Sequence, residues 1–194
     1  MVLPASLLHA ALPTDPHVSG PTSFAGQLLV AAPELRQAAF DHAVILLAQH
    51  SHEGALGIVI NRPGATHPIA GLLSAFHADT SGVAGGVRVF FGGPMDPNFG
   101  LVLHSTEYNR AETIDIDGRV AMTVAPAVLR DIGLGKGPDK SLVAFGYAGW
   151  APAQLENELA HGVWVLVPED PGLVFDDDRA NVWTEAMARH KTVR

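Results

Sequence analysis

The sequence predicts a single α+β domain: a largely antiparallel, barrel-like β-sheet with a few flanking helices. Three observations point there. Apolar residues make up 47% of the 194 positions and charged residues only 16%, so a large core is affordable and disorder of the whole chain is excluded. The apolar residues fall in short runs, several of them continuous, the pattern of strands covered on both faces. The reversals between runs are too short for the dozen or so residues that a parallel crossover takes.

The elements follow in order. Residues 1–23 read as a flexible tail, because Pro4, Pro13, Pro16 and Pro21 stand among Ser, Thr, His and Gly and little apolar area offsets the entropy of ordering them. The single domain takes residues 24–194. Strands are expected over 28–32, 43–48, 56–60, 87–91, 101–103, 120–124, 142–145 and 163–167, where β-branched and aromatic residues gather. Only His50-Ser51-His52-Glu53-Gly54 separates the second strand from the third. Asp117-Gly118 lies between 112–116 and 119–124, a strong hairpin signal.

Helices are inserted between strand groups. Residues 67–76 carry Ile69, Leu72, Leu73 and Phe76 on one stripe. The segments 126–134 and 152–160 both open with proline, suited to the first helical position. Pro152 there would put Gln154 at the third position, where its amide caps the start. A last helix is expected over 179–190, capped by Asp176-Asp177-Asp178, which lacks the glycine and distal glutamate of a calcium loop.

Charge and composition limit the function. The net charge is −8, and only Lys136, Lys140 and Lys191 among twelve basic residues are lysines. That balance makes direct nucleic-acid binding unlikely, though Arg62, Arg88 and Arg110 could form a local patch. There is no cysteine, which removes disulfides, thiolate nucleophiles and Cys-ligated metals. No Lys or Arg precedes Arg36, and no apolar run approaches the ~18 residues of a membrane span. The expectation is a soluble cytoplasmic protein with no membrane association.

The motifs that might carry chemistry are weak one by one. His50 and His52 with Glu53 suit a metal, with His104 as third ligand, but a solvated hairpin tip explains them better, and no metal or cofactor is expected. Asn61-Arg62 at a strand end suits a carboxylate or phosphate, yet Asn61 also orders a turn by itself. Gly92-Gly93-Pro94 lacks the helix and lysine of a phosphate loop, which leaves close backbone approach. His104 and Ser105 are neighbours on a strand and face opposite ways, against a nucleophile and base pair. Gly146-Tyr147-Ala148-Gly149-Trp150 followed by Gln154-Leu155-Glu156-Asn157-Glu158 is the most unusual segment. It suits a groove walled by Tyr147 and Trp150, with Gln154 and Glu158 as polar contacts.

Taken in order, these motifs resemble the YqgE/AlgH family of bacterial proteins over about residues 24–190. They are Gly26-Gln27-Leu28-Leu29, Val44-Ile45-Leu46-Leu47 with His50, the stretch from Gly54 to Pro63, Gly92-Gly93-Pro94, Leu103-His104-Ser105, and the Gly-Tyr-Ala-Gly-Trp string with Gln154-Leu155-Glu156. The match departs at Gln37-Ala38-Ala39-Phe40, at Ala125-Pro126 and at Pro152. The resemblance implies a compact, barrel-like α+β domain and no established reaction or cofactor; the family is commonly labelled a transcriptional regulator. The expected function is a regulatory protein that binds an unknown protein or small molecule. An enzyme with a polar pocket around His104, Asn61 and Glu158 is the alternative, and direct DNA binding through an Arg patch is another.

Overall fold

The computed structural model describes residues 23–175 and 179–192. Residues 1–22 of the expected tail and the acidic run at 176–178 lie outside the described residues. The chain forms β1 (Gln27–Ala31), β2 (Val44–Ser51), β3 (Gly54–Val59), β4 (Pro63–Pro68), α1 (Ile69–Ala75), β5 (Gly86–Phe91), β6 (Met95–Ser105), β7 (Ile114–Asp115) and β8 (Val120–Val124). There follow α2 (Ala125–Gly133), β9 (Ser141–Trp150), α3 (Gln154–Ala160), β10 (Trp164–Pro168), α4 (Pro171–Val174) and α5 (Val182–Thr192).

The strand order is β10-β1-β2-β3-β9-β6-β8-β7, and every neighbouring pair on that path is antiparallel. The antiparallel α+β architecture is therefore as expected. β5 is the exception, lying parallel to β9 with β4 outside it. The tight reversals fall at the β2–β3 turn, where Ser51 pairs with Gly54, and at Asp117-Gly118, where Gly118 has φ +78°.

Alternation along the strands sorts the core into an inside and two outsides. Leu28, Val30, Val44, Leu46, Ile58, Leu101, Leu103, Met122, Leu142 and Val167 share one cluster, which fills the hollow of the curled sheet. Leu29, Ile45, Leu47 and Val59 face the other way and pack with Trp150, Leu155 and Trp164. Val102 and Val143 face outward under α1 and α2, with Ile69, Leu73, Val128 and Leu129. Both faces of the central strands are thus covered, which is why their sequences are continuously apolar.

The two ends of the strand order come together. Glu169 directly follows β10, Asp117 sits in the β7–β8 turn, and Arg119 reaches both carboxyl groups. Gly26 enters β1 at φ +79°, and a Cβ on it would stand 2.7 Å from the Cβ of Asp117. Only glycine lets the chain pass that close.

Several expectations shift. β4, Pro-Gly-Ala-Thr-His-Pro, is exposed throughout and has no apolar run to announce it. β9 continues five residues past 145 through small residues that let other backbone approach. Helix α3 begins at Gln154, not at Pro152, because Ala153 takes a left-handed conformation at φ 62°. Gln154 Oε1 accepts the Ala151 N–H (3.0 Å), two residues ahead of the N-cap Ala153, so the expected cap of the helix start is not formed. Among the described residues, no helix is long and apolar enough to cross a membrane.

Candidate functional site

The segment Gly149 to Trp164 builds a hollow on the outer face of the sheet. β9 delivers Trp150, β10 delivers Trp164, and α3 between them delivers Gln154 and Glu158 one turn apart on one face. Glu158 Oε2 accepts the indole N–H of Trp150 (2.8 Å) and of Trp164 (2.7 Å). Its Oε1 accepts the amide of Gln154 at 2.9 Å. The two indoles meet edge to face, 6.1 Å between centroids. Trp150 and Trp164 are 7% and 4% exposed, so each buried N–H needs this acceptor. Three donors and no acceptor converge on the side chain, the pattern of an ionised carboxylate.

Opposite the clamp runs the loop between β1 and β2. Its Leu35, Gln37 and Phe40 close a cavity of about 270 Å³, and Phe40 meets Trp164 edge to face at 5.6 Å. A hollow lined by aromatic rings with two polar groups at one side has the make-up of a small-ligand site.

The other sequence-predicted residues are distributed elsewhere. His50 is beside this region but committed: its Nδ1 accepts the Phe24 N–H (3.1 Å), so Nε2 carries the proton and donates to Glu156 Oε1 (3.0 Å). Asn61 is buried and satisfied at both ends, accepting from Val44 N (2.9 Å) and donating to the His42 carbonyl (2.8 Å). Arg62 donates to the Asp41 carbonyl. Asn61 and Arg62 line a second, more open hollow of about 520 Å³ with Trp183.

Gly92 and Gly93 lie where β9 exchanges one neighbour for another. Gly92 N donates to Phe145 O, and Gly92 O accepts from Val59 N. A Cβ on Gly93 would stand 2.1 Å from the Tyr147 carbonyl carbon, so close backbone approach is its role. Tyr147 packs edge to face on Phe99 over the inner core.

His104 is fully buried within a hydrogen-bond chain. Its Nδ1–H donates to Ser105 O (3.0 Å), so Nε2 accepts from Thr123 Oγ1 (2.8 Å), which accepts from Thr113 Oγ1 (2.8 Å). Burial lowers the His104 pKa, against the Ser105 bond and the charge of Glu107. His104, Asn61 and Glu158 stand in separate places: Asn61 lines the more open hollow, Glu158 the smaller one, and His104 neither of the two. Among the described residues, no three His, Asp or Glu side chains gather as metal ligands. Arg110 is held by Asp131 (2.6 Å), so the expected Arg patch has lost one member to an ion pair.

Trp150, Gln154 and Glu158 are thus brought together, whereas Tyr147 gives up its expected place to Trp164. Trp164, Phe40, Leu35 and Gln37 were not foreseen. A signal for Trp164 existed: an indole opening a buried strand needs an acceptor, and Glu158 is the nearest acid before it.

A family model described as AlgH-like (DUF179) matches residues 28–193. The chain belongs to the AlgH-like family. It is 37% identical to a UPF0301 protein of Methylococcus capsulatus over 168 residues, 87% of this chain and 92% of that one. It is 39% identical to a UPF0301 protein of Rhodospirillum rubrum, covering 84% of this chain and 85% of the relative. The solution structure of AlgH from Pseudomonas aeruginosa superposes with a TM-score of 0.74 at 34% identity, covering 88% and 90% of the two chains. The crystal structure of a Corynebacterium diphtheriae protein shares the fold, with a TM-score of 0.63 at 22% identity over 85% and 86%. The AlgH-like motif string is thus, in this chain, the scaffold of the indole–carboxylate clamp.

Proposed function

We propose that this AlgH-like protein is a regulatory binding protein of the bacterial cytoplasm that acts through a ligand held in the Trp150–Trp164–Glu158 hollow, and not through contact with DNA. The observation that carries the reading is the clamp itself: one carboxylate fixed by two indoles and an amide beneath an open, aromatic-lined cavity. A group so immobilised is prepaid in orientation, which favours recognition. A net charge of −8 and the engagement of Arg62 and Arg110 by the protein's own acceptors argue in the same direction, since a duplex partner needs free cations.

The test fills the cavity without touching the clamp. Gln37 is exposed on the cavity wall, so Gln37→Trp should fold normally and block the hollow. In a deletion strain whose transcript profile is altered, the wild-type gene should restore the profile and Gln37→Trp should not. Full restoration by the blocked variant, or duplex binding by the purified protein at physiological salt, overturns the proposal.

A further inference from the structure

Resting on that binding reading, we infer that the hollow takes a small organic cation, an alkylated ammonium or guanidinium group seated against Glu158 on the side of Leu35 and Phe40. The residues lining the cavity include no Lys, Arg or His. Glu158 receives only neutral donors, and among the described residues no cation lies within ion-pair distance of it. The site therefore holds one negative charge that the protein itself leaves uncompensated.

The complement follows from exclusion. An anion would be repelled by Glu158 in a partly desolvated site. A hard metal ion would lose its water for aromatic rings and one already engaged carboxylate, where it needs six or more oxygens. An organic cation asks for the opposite: its alkyl periphery is weakly hydrated and packs on apolar walls such as Leu35 and Phe40, and one carboxylate neutralises it. About 270 Å³ limits the ligand to a headgroup of a few heavy atoms and excludes a bulky cofactor. Indole N–H bonds to Oε2 hold the acid in place from one side, so the ligand approaches from the side of Leu35 and Phe40.

The experiment titrates the full chain with choline chloride, with its neutral isostere 3,3-dimethyl-1-butanol, and with sodium chloride at equal ionic strength. The readout is the indole N–H resonances of Trp150 and Trp164. Choline should shift both saturably, with a Kd in or below the millimolar range, while the isostere and the salt should not. Glu158→Gln keeps an acceptor for the indoles, so their dispersion should persist while choline affinity falls at least tenfold. If the isostere binds as well as choline, or Glu158→Gln binds choline unchanged, the cation assignment is wrong and the binding hollow stands. If none of the probes moves either indole, the cation assignment is overturned, and the complementation of Gln37→Trp decides the hollow separately.

Discussion

Asp117 and Glu169 meet carboxyl to carboxyl where the first and last strands of the sheet order converge. Arg119 stands 3.1 Å from Asp117 Oδ2 and 2.8 Å from Glu169 Oε2, yet no aligned donor serves either Glu169 oxygen. Burial, then the hydrogen bond and charge of Asp117, push Glu169 up to about 7. Burial also opposes the ionisation of Asp117, but the Val120 and Arg119 amides and the bond with Glu169 outweigh it and hold Asp117 below its usual value. Near neutrality Glu169 is partly protonated while Asp117 stays ionised.

The consequence for stability has a definite sign. Because the folded value of Glu169 lies above its ordinary 4.5, its stabilising contribution is complete below about 4.5 and is lost as pH rises through 7. Glu169→Gln imitates the protonated acid at every pH. The variant should melt roughly 2–4 °C above wild type at pH 8, the equivalent of about 1 kcal/mol in a domain of this size. The difference should vanish near pH 4.5. A pH-independent difference in calorimetry would contradict the raised pKa of Glu169.

His104 should behave in the opposite direction. Its lowered pKa means that stability is complete above 6.5 and declines as pH falls toward the depressed folded value. At pH 6.5, where an ordinary histidine is half protonated, its ring resonances should be mainly those of the neutral Nδ1–H tautomer. Titration at 6.5 or above would show that the buried chain does not hold it. Thr123→Val removes the donor to Nε2 and the acceptor of Thr113 together, at a cost of about 1–3 kcal/mol in denaturant unfolding.

The clamp predicts unequal costs for two changes at one position. Glu158→Ala leaves two buried indole N–H groups without an acceptor and should cost about 2–4 kcal/mol. Glu158→Gln should cost about 1 kcal/mol or less, because its carbonyl still accepts. Equal costs by urea titration would mean that the indoles find water instead.

Gly93→Ala should leave no folded protein. The new methyl would meet the Tyr147 carbonyl carbon at 2.1 Å, its oxygen at 2.3 Å and Ala148 N at 2.5 Å, all backbone atoms that cannot rotate aside. Circular dichroism of whatever material is recovered decides it, and a native spectrum would refute the crossing.

The sheet was legible because its physics is local. Val44-Ile45-Leu46-Leu47 is apolar on both faces, and Asp117-Gly118 is a turn before it is anything else. The hidden parts are those whose cause lies elsewhere in the chain. β4 is held by pairing with β5 and not by any pattern in its own six residues. Asn61 and His104 attract attention as polar residues in apolar runs, and both are explained by partners 17 to 19 residues away. Separation along the chain, not subtlety of chemistry, set the limit.

The margins of the sheet bear on how two copies of so apolar a chain could meet. β4 forms one outer margin with proline at both ends, so two of its backbone positions offer no N–H to a neighbouring molecule. β7, the last strand of the main path, is two residues long. Among the described residues these two margins therefore give another copy no long row of unpaired amides on which to stack, and little template from which fibres could grow.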